Sequence, residues 1–303
     1  MAEKMIVSGF IKSFDGIRLF CRKQGCGPAV LLVHGACVDS DCFEPLAVLL
    51  AEKYTVYRYD RAGCGRSDER EAGDSLLANA KDLREVLGQI GLPVRVIAHS
   101  AGGAAAMKLA EMQPEIMSDL LVFEPVIIQD LIRDANRRAK LQKVAKVIQE
   151  KKNFYQAFRY FEGFLDEDQR AGQGINQNSG QGSDQSSKQG ANHCAGQGAD
   201  QSPSESRADC LSPEKARHVL KNCRTFFMRD FTSFMEFHPD YKRMKELPIF
   251  SGYGSLGRGS FKMEAAALLA ERTGCPIIEF PGGHNAPYEN PAAFISVWEA
   301  SAS

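Results

Sequence analysis

Val94-Arg95-Val96-Ile97-Ala98-His99-Ser100-Ala101-Gly102-Gly103-Ala104-Ala105-Ala106 runs from an apolar segment through a serine into a run of glycine and alanine. Val94–Ala98 is almost wholly apolar, the pattern of a strand buried on both faces. Ala101–Met112 has helical character and stops before Pro114. Ser100 stands between them with no loop to spare. A serine on so sharp a strand-to-helix turn needs small residues two positions before and two after it, and Ala98 and Gly102 meet that need. Gly103 to Ala106 let the helix pack closely on a sheet, and its N-terminus aims partial positive charge at the place where an oxyanion would form.

On either side of this stretch the pattern alternates. Ile17–Cys21, Ala29–Val33, Thr55–Tyr59, Leu120–Phe123, Pro248–Ser251 and Pro276–Phe280 read as strands. Pro45–Ala51, Met263–Arg272 and Pro291–Trp298 read as helices, as does a stretch capped by Asp74 or Ser75 and reaching Ile90. The last of these carries Leu76, Ala80, Leu83, Leu87 and Ile90 on one face before Gly91 and Pro93 end it. This alternation predicts an α/β fold, a mainly parallel sheet with helices on both faces. After Pro125 the pattern changes. Gln129–Lys152 is helical and basic, aromatic residues follow from Phe154 to Phe164, and about 169–208 is Gly, Gln, Ser, Asn and Asp with almost nothing apolar. Such a segment cannot bury enough surface to offset its ordering entropy, so disorder is expected there. Helical character returns over Ser212–Arg229, with phenylalanines at 226, 227, 231, 234 and 237. The expected organisation is a core made of 1–127 and 244–303, with a helical insertion at 128–243.

Composition narrows the classes. With 303 residues, 44% of them hydrophobic, the chain fits one large domain or a domain with an insertion. A net charge of −1 gives no electrostatic reason to expect nucleic acid or an anionic membrane as partner. No apolar run approaches the ~18 residues of a membrane span, and no apolar h-region follows the charged start. The nine cysteines are scattered, which fits reduced thiols in a cytoplasm better than a disulfide framework. Cys21/Cys26 and Cys37/Cys42 form two CxxxxC pairs, but this spacing is looser than common zinc pairs and no histidine cluster follows. Buried free thiols are the better reading, and no metal or organic cofactor is implied. The basic run Arg133–Lys152 reads as a solvated helix face before it reads as an anion site. The aromatic clusters serve equally as a small helical core or as the apolar wall of a pocket under a lid.

Further motifs sit at the expected strand ends. Ala98-His99-Ser100-Ala101-Gly102 has the shape of G-x-S-x-G, with alanine for the first glycine. His34-Gly35 closes the strand Ala29–Val33, Asp60-Arg61-Ala62-Gly63-Cys64-Gly65-Arg66-Ser67 follows the next strand, and Pro281-Gly282-Gly283-His284 follows the last one, before Asn290-Pro291. On these residues the chain resembles the α/β-hydrolase superfamily over roughly 15–125 and 245–300, in its serine-nucleophile branch with a helical cap. The resemblance implies Ser100 as nucleophile, His284 as general base, and the backbone N–H groups of Ala36 and Ala101 as oxyanion hole. A serine at the elbow argues against the haloalkane dehalogenase and epoxide hydrolase branches, which use an aspartate there.

The other histidines have duller readings. His99 points the wrong way on an elbow, His34 is a structural part of its loop, His193 lies in the low-complexity stretch, and His218 and His238 lie in the insertion. The triad acid departs from the commonest pattern, since Gly252–Gly257 holds no carboxylate. Glu124, one strand earlier, resembles the alternative position that some members use. Otherwise Glu124 merely caps the insertion and the site is a dyad, with Asp119 and Asp130 as fallback acids. The implied reaction is acyl transfer through an acyl-enzyme, with a carboxylesterase on a small or medium ester first and a small-molecule acyl or ester substrate as partner. A C–C bond hydrolase, thioesterase or acyltransferase on the same apparatus stays open. So does a non-catalytic ligand-binding relative, which the missing aspartate favours.

Overall fold

The computed structural model describes residues 6–71, 75–91, 93–132, 135–151, 154–166 and 213–301. Its strands are β1 (Val7–Lys12), β2 (Arg18–Gln24), β3 (Ala29–Val33), β4 (Thr55–Tyr59), β5 (Val94–His99), β6 (Asp119–Phe123), β7 (Ile249–Gly254) and β8 (Ile277–Phe280). Its helices are α1 (Glu44–Leu50), α2 (Ser75–Ile90), α3 (Ala101–Met112), α4 (Ala135–Lys151), α5 (Phe154–Asp166), α6 (Pro213–Thr225), α7 (Phe231–Met235), α8 (Tyr241–Met244), α9 (Phe261–Thr273), α10 (Ala286–Glu289) and α11 (Pro291–Ser301). Among the described residues no helix is long and apolar enough to cross a membrane.

The strands form one sheet in the order β1-β2-β4-β3-β5-β6-β7-β8, with β1 and β2 antiparallel and β4 to β8 parallel. The mainly parallel α/β sheet expected from the alternating pattern is therefore present. Successive side chains of a strand point to opposite faces. Val30 and Leu32 thus pack with α1 and α11 around Phe43, Leu46, Phe294 and Trp298. Leu31 and Val33 pack with α2 and α3 around Leu83, Leu87 and Leu109. Both faces are covered, which is why the central strands read as continuous apolar runs. β1 gave no such signal, because this edge strand is largely exposed and buries neither face.

The order reverses between β3 and β5: the chain leaves β3 for β4 on one side and later returns to β5 on the other. Open α/β sheets bind ligands in the crevice beyond the strand C-termini at such a switch point. The ends of β3, β5, β6 and β7 and the loop after β8 all open there.

Between β6 and β7 the boundaries differ from the sequence reading. A single helix over Gln129–Lys152 is replaced by a 3₁₀ turn at Gln129–Leu131 followed by α4. The helix expected over Ser212–Arg229 ends at Thr225 and passes through a π turn, Phe226–Asp230, into α7. The low-complexity stretch about 169–208, with His193, lies outside the described residues. The aromatic residues form a core: Phe161 packs on Phe226, Phe227 and Phe231 with ring centroids at 5.8, 6.3 and 5.7 Å. That core is continuous with the one beneath α2 and α3. On α4, Arg138, Lys143 and Lys146 are exposed, as a solvated face requires, while Arg137 pairs with Glu264 at 3.0 Å.

Candidate active site

Ser100 holds φ 54° and ψ −119° at the junction of β5 and α3. Positive φ is rare for a residue with a Cβ and costs on the order of 1–3 kcal/mol, so the surroundings must hold it. Ser100 N–H donates to Phe123 O at 2.9 Å, and Ser100 O accepts from Ala104 N–H at 3.2 Å. A Cβ at Gly102 would lie 2.5 Å from both His34 O and Val33 O, so only glycine lets α3 come this close to the end of β3. Ala98 is fully buried between Val33 and Val122 in the sheet register. The N–H groups of Ala101, Gly102 and Gly103, in the first turn of α3, have no acceptor within the helix.

The loop after β3 lies against this turn. A Cβ at Gly35 would meet Ser100 Cβ at 3.1 Å and His99 Nδ1 at 3.0 Å. His34 is buried, its Nδ1–H donating to Gly35 O at 3.0 Å and its Nε2 accepting from Arg61 N–H at 2.9 Å. Burial first, and the charge of Arg61 next, lower its pKa to about 3, so the ring is neutral and its tautomer is set by these two partners. Arg61 Nη2 donates to the same Gly35 O at 3.0 Å. Cys37 closes the loop with φ 61°.

Glu124, just past β6, holds φ 49°. Its Oε2 accepts from His284 Nδ1–H at 2.5 Å, and its Oε1 accepts from Gly254 N–H at 2.8 Å. The carboxyl is buried, and burial pushes its pKa up, against the lowering effects of the Gly254 N–H and the charge of Lys262. The segment 252–257, which holds no acid, is instead the packing surface for both partners. A Cβ at Gly254 would lie 2.6 Å from Gly282 O, and one at Gly257 would lie 3.3 Å from Glu124 Oε1. Ser255 Oγ accepts from Gly282 N–H at 3.2 Å, tying the segment to the His284 loop.

His99, which had only a dull reading in the sequence, is not idle. Its Nε2–H donates to the backbone carbonyl of His284 at 2.9 Å, and its Nδ1 accepts from the Tyr288 hydroxyl at 2.5 Å. The His99 and His284 ring centroids are 4.3 Å apart. Burial first, then the neighbouring His284, hold the His99 pKa well below its ordinary value. Sequence reasoning missed Tyr288, whose only signal was its place four residues beyond His284, in the short helix α10 that follows the loop. The fallback acids lie elsewhere. Asp119 pairs with Arg95 at 2.7 Å at the start of β6, and Asp130 pairs with His238 at 2.5 Å and accepts from Tyr241 at 2.6 Å. His218 faces Asp39 at 3.7 Å.

The Asp60–Ser67 turn is held together by Asp60. Asp60 accepts from Ser40 N–H at 3.0 Å, Arg66 N–H at 2.8 Å and Arg66 Nε at 2.9 Å. The turn is also where α6 docks: Thr225 donates to Gly63 O at 2.7 Å, Lys221 to Gly65 O at 3.1 Å, and Gly65 N–H to Asn222 Oδ1 at 2.8 Å. The CxxxxC cysteines are free thiols, with Cys21 and Cys37 buried and Cys26 exposed. Among the described residues no group of three or more His, Cys, Asp or Glu side chains is placed to hold a metal ion.

These parts amount to a serine on a strained turn, an imidazole fixed by a buried carboxylate, and peptide N–H groups at a helix N-terminus. Such a set is equipped for nucleophilic acyl transfer with general-base assistance.

Comparison with known proteins bears on the fold and the family. The model of a family described as the alpha/beta hydrolase family matches residues 30–297. An uncharacterized protein of Mycobacterium tuberculosis is 33% identical over 112 residues, which is 37% of this chain and 33% of that protein. An uncharacterized hydrolase, YraK, of Bacillus subtilis is 30% identical over 128 residues, covering 41% of this chain and 47% of its own length. The chain thus matches less than half the length of either relative. Among solved structures, an alpha/beta hydrolase from Sphaerobacter thermophilus superposes with a TM-score of 0.67 at 19% identity, over 97% of this chain and 100% of its own. An esterase from Exiguobacterium antarcticum gives 0.67 at 16% identity, over 97% and 99% of the two chains.

Proposed function

This chain belongs to the alpha/beta hydrolase family, and on that premise we propose that it is a serine hydrolase acting by acyl transfer, a carboxylesterase on a small or medium ester. The observation that carries the reading is the 2.5 Å contact between Glu124 Oε2 and His284 Nδ1, in the same strand-end crevice as a serine held at φ 54°. With Nδ1–H committed to the carboxylate, the imidazole is fixed in the tautomer that offers Nε2 as base.

In the proposed cycle His284 Nε2 takes the Ser100 hydroxyl proton as Oγ bonds to the ester carbonyl carbon. The carbonyl oxygen becomes an oxyanion facing Ala36 N–H and Ala101 N–H. His284 then gives its proton to the departing alkoxide oxygen, leaving the acyl group on Ser100. Water repeats the sequence: it loses a proton to His284, attacks the acyl carbon, and Ser100 leaves with that proton. Glu124 stabilises the imidazolium in both halves without itself taking the proton. The helices between β6 and β7, within 128–243, act as a cap whose docking on the Asp60–Ser67 turn brings them over the core. The Glu124 contact supports catalysis over passive ligand binding, since the carboxylate missing from 252–257 is supplied from the neighbouring strand.

Fluorophosphonate labelling read by intact mass tests this. One adduct is expected on the wild type and none on Ser100→Ala. Folded wild type that takes no label would end the serine-hydrolase reading.

A further inference from the structure

The loop after β3 owes its place to a buried guanidinium. Arg61 is fully buried, and its fork reaches three groups: Nη1 to Asn79 Oδ1 and Asp230 Oδ2, both at 3.1 Å, and Nη2 to Gly35 O at 3.0 Å. Asp230 is equally buried and also accepts from the Ser75 hydroxyl. It sits in the π turn, where Phe231 N–H donates to Phe226 O. Such turns are frequent at functional sites.

The C=O of Gly35 and the N–H of Ala36 belong to one planar peptide and point in opposite directions. Fixing the oxygen therefore fixes the N–H. Gly35 O receives two donors, His34 Nδ1–H and Arg61 Nη2, each at 3.0 Å. One of them carries a full charge in a buried place, which polarises the peptide and strengthens its N–H as a donor. That N–H is half of the oxyanion hole in the proposed reaction.

We infer that Arg61 is a positioning residue that orients and polarises the Ala36 N–H, and that Asp230 ties this donor to the seating of the 213–235 segment. The inference rests on the serine-hydrolase reading above. Arg61 touches no reacting atom; it acts through one peptide group. The chain of contacts runs from α6 and α7 through Asp230 and Arg61 to Gly35, so an ill-seated cap leaves the oxyanion donor loosely aimed.

Removing one partner alone would strand a buried charge, whereas removing both charges together leaves none uncompensated. The test is thus the double variant Arg61→Gln, Asp230→Asn in the full chain, assayed on p-nitrophenyl butyrate, with active sites counted by fluorophosphonate titration. Per titrated site, kcat is expected to fall roughly tenfold, less than the 10²–10³ of losing a donor outright. KM should stay within about twofold, since the oxyanion forms only in the transition state. The dissociation constant of a trifluoromethyl ketone analogue should rise by the same factor as kcat falls. Arg61→Lys keeps the charge opposite Asp230 but lacks the planar fork, and it should show the same split several-fold; it carries the test if the double variant does not fold. An unchanged kcat per titrated site, or a loss confined to KM or to the titrated fraction, overturns the inference. Wild type that neither labels nor turns over would sink the serine-hydrolase reading first, and the role of Arg61 with it.

Discussion

Glu124 Oε2 and His284 Nδ1 lie 2.5 Å apart although 160 residues separate them in the chain. Glu124 leaves the end of β6 at φ 49°, and the His284 loop returns from β8, with β7 between the two strands. The carboxylate passes across the acid-free end of β7, accepting from Gly254 N–H on the way.

Replacing Glu124 by Gln should cut the fluorophosphonate labelling rate by on the order of 10³- to 10⁴-fold, as losing the orienting acid of a triad does. The amide keeps the volume and the Gly254 contact but no longer stabilises the imidazolium. Labelling rates followed by mass spectrometry check this, and an unchanged rate would make the site a dyad.

Tyr288→Phe leaves His99 Nδ1 buried without the hydroxyl that now donates to it at 2.5 Å. An orphaned buried acceptor costs about 1–3 kcal/mol. Urea unfolding should show that loss, and labelling should slow several-fold, because His99 holds the backbone carbonyl of His284. Full stability in the variant would mean that the His99 contact contributes little.

Gly102→Ala forces a methyl to within 2.5 Å of two backbone oxygens, His34 O and Val33 O. Neither can swing away as a side chain would. The variant should lose about 1–3 kcal/mol by overpacking and, with α3 pushed off the end of β3, most of its reactivity toward fluorophosphonate. Wild-type labelling would show that the serine turn tolerates a wider gap.

Stability should fall on acidification below about pH 6.5, the ordinary histidine value. His34, held near a pKa of about 3, and His99, held well below normal, stay neutral in the native state while the unfolded chain takes up both protons. Each contributes a slope approaching 1.4 kcal/mol per pH unit, with stability complete above the unfolded pKa and lost as pH falls toward the folded one. Glu124 works oppositely: its raised native pKa binds a proton before the unfolded chain does, which offsets part of the loss. Around His99 the titratable groups include His284, Glu124, Lys262, Tyr288 and His34 itself. Urea midpoints from pH 7.5 to 5 should decline in the wild type and decline less steeply in His99→Gln. Parallel slopes would mean that native His99 binds its proton.

Much of the fold was legible because its signals are local. β3 and β4 have the bounds read for them in the sequence, and α3 begins and stops at the residues its small-residue start and Pro114 indicated. β1 was illegible because an exposed edge strand carries no alternation. The π turn at Phe226–Asp230 was missed because helical periodicity continues through it, while the extra residue that turns Asp230 toward Arg61 leaves no mark in composition.

The alternation of strand and helix, and hence the parallel sheet and the crevice at its C-terminal edge, is written locally in the chain, because apolar periodicity and turn chemistry act within a few residues. The sequence also singled out Ser100 and His284, whose local motifs demand small neighbours and a glycine-rich loop. Which carboxylate meets His284, which ring supports its backbone, and which guanidinium holds Gly35 depend on how the folded elements come together. Glu124, His99, Tyr288, Arg61 and Asp230 come from separate strands, loops and helices, and their chemistry depends on distances of about 3 Å that no spacing along the chain encodes.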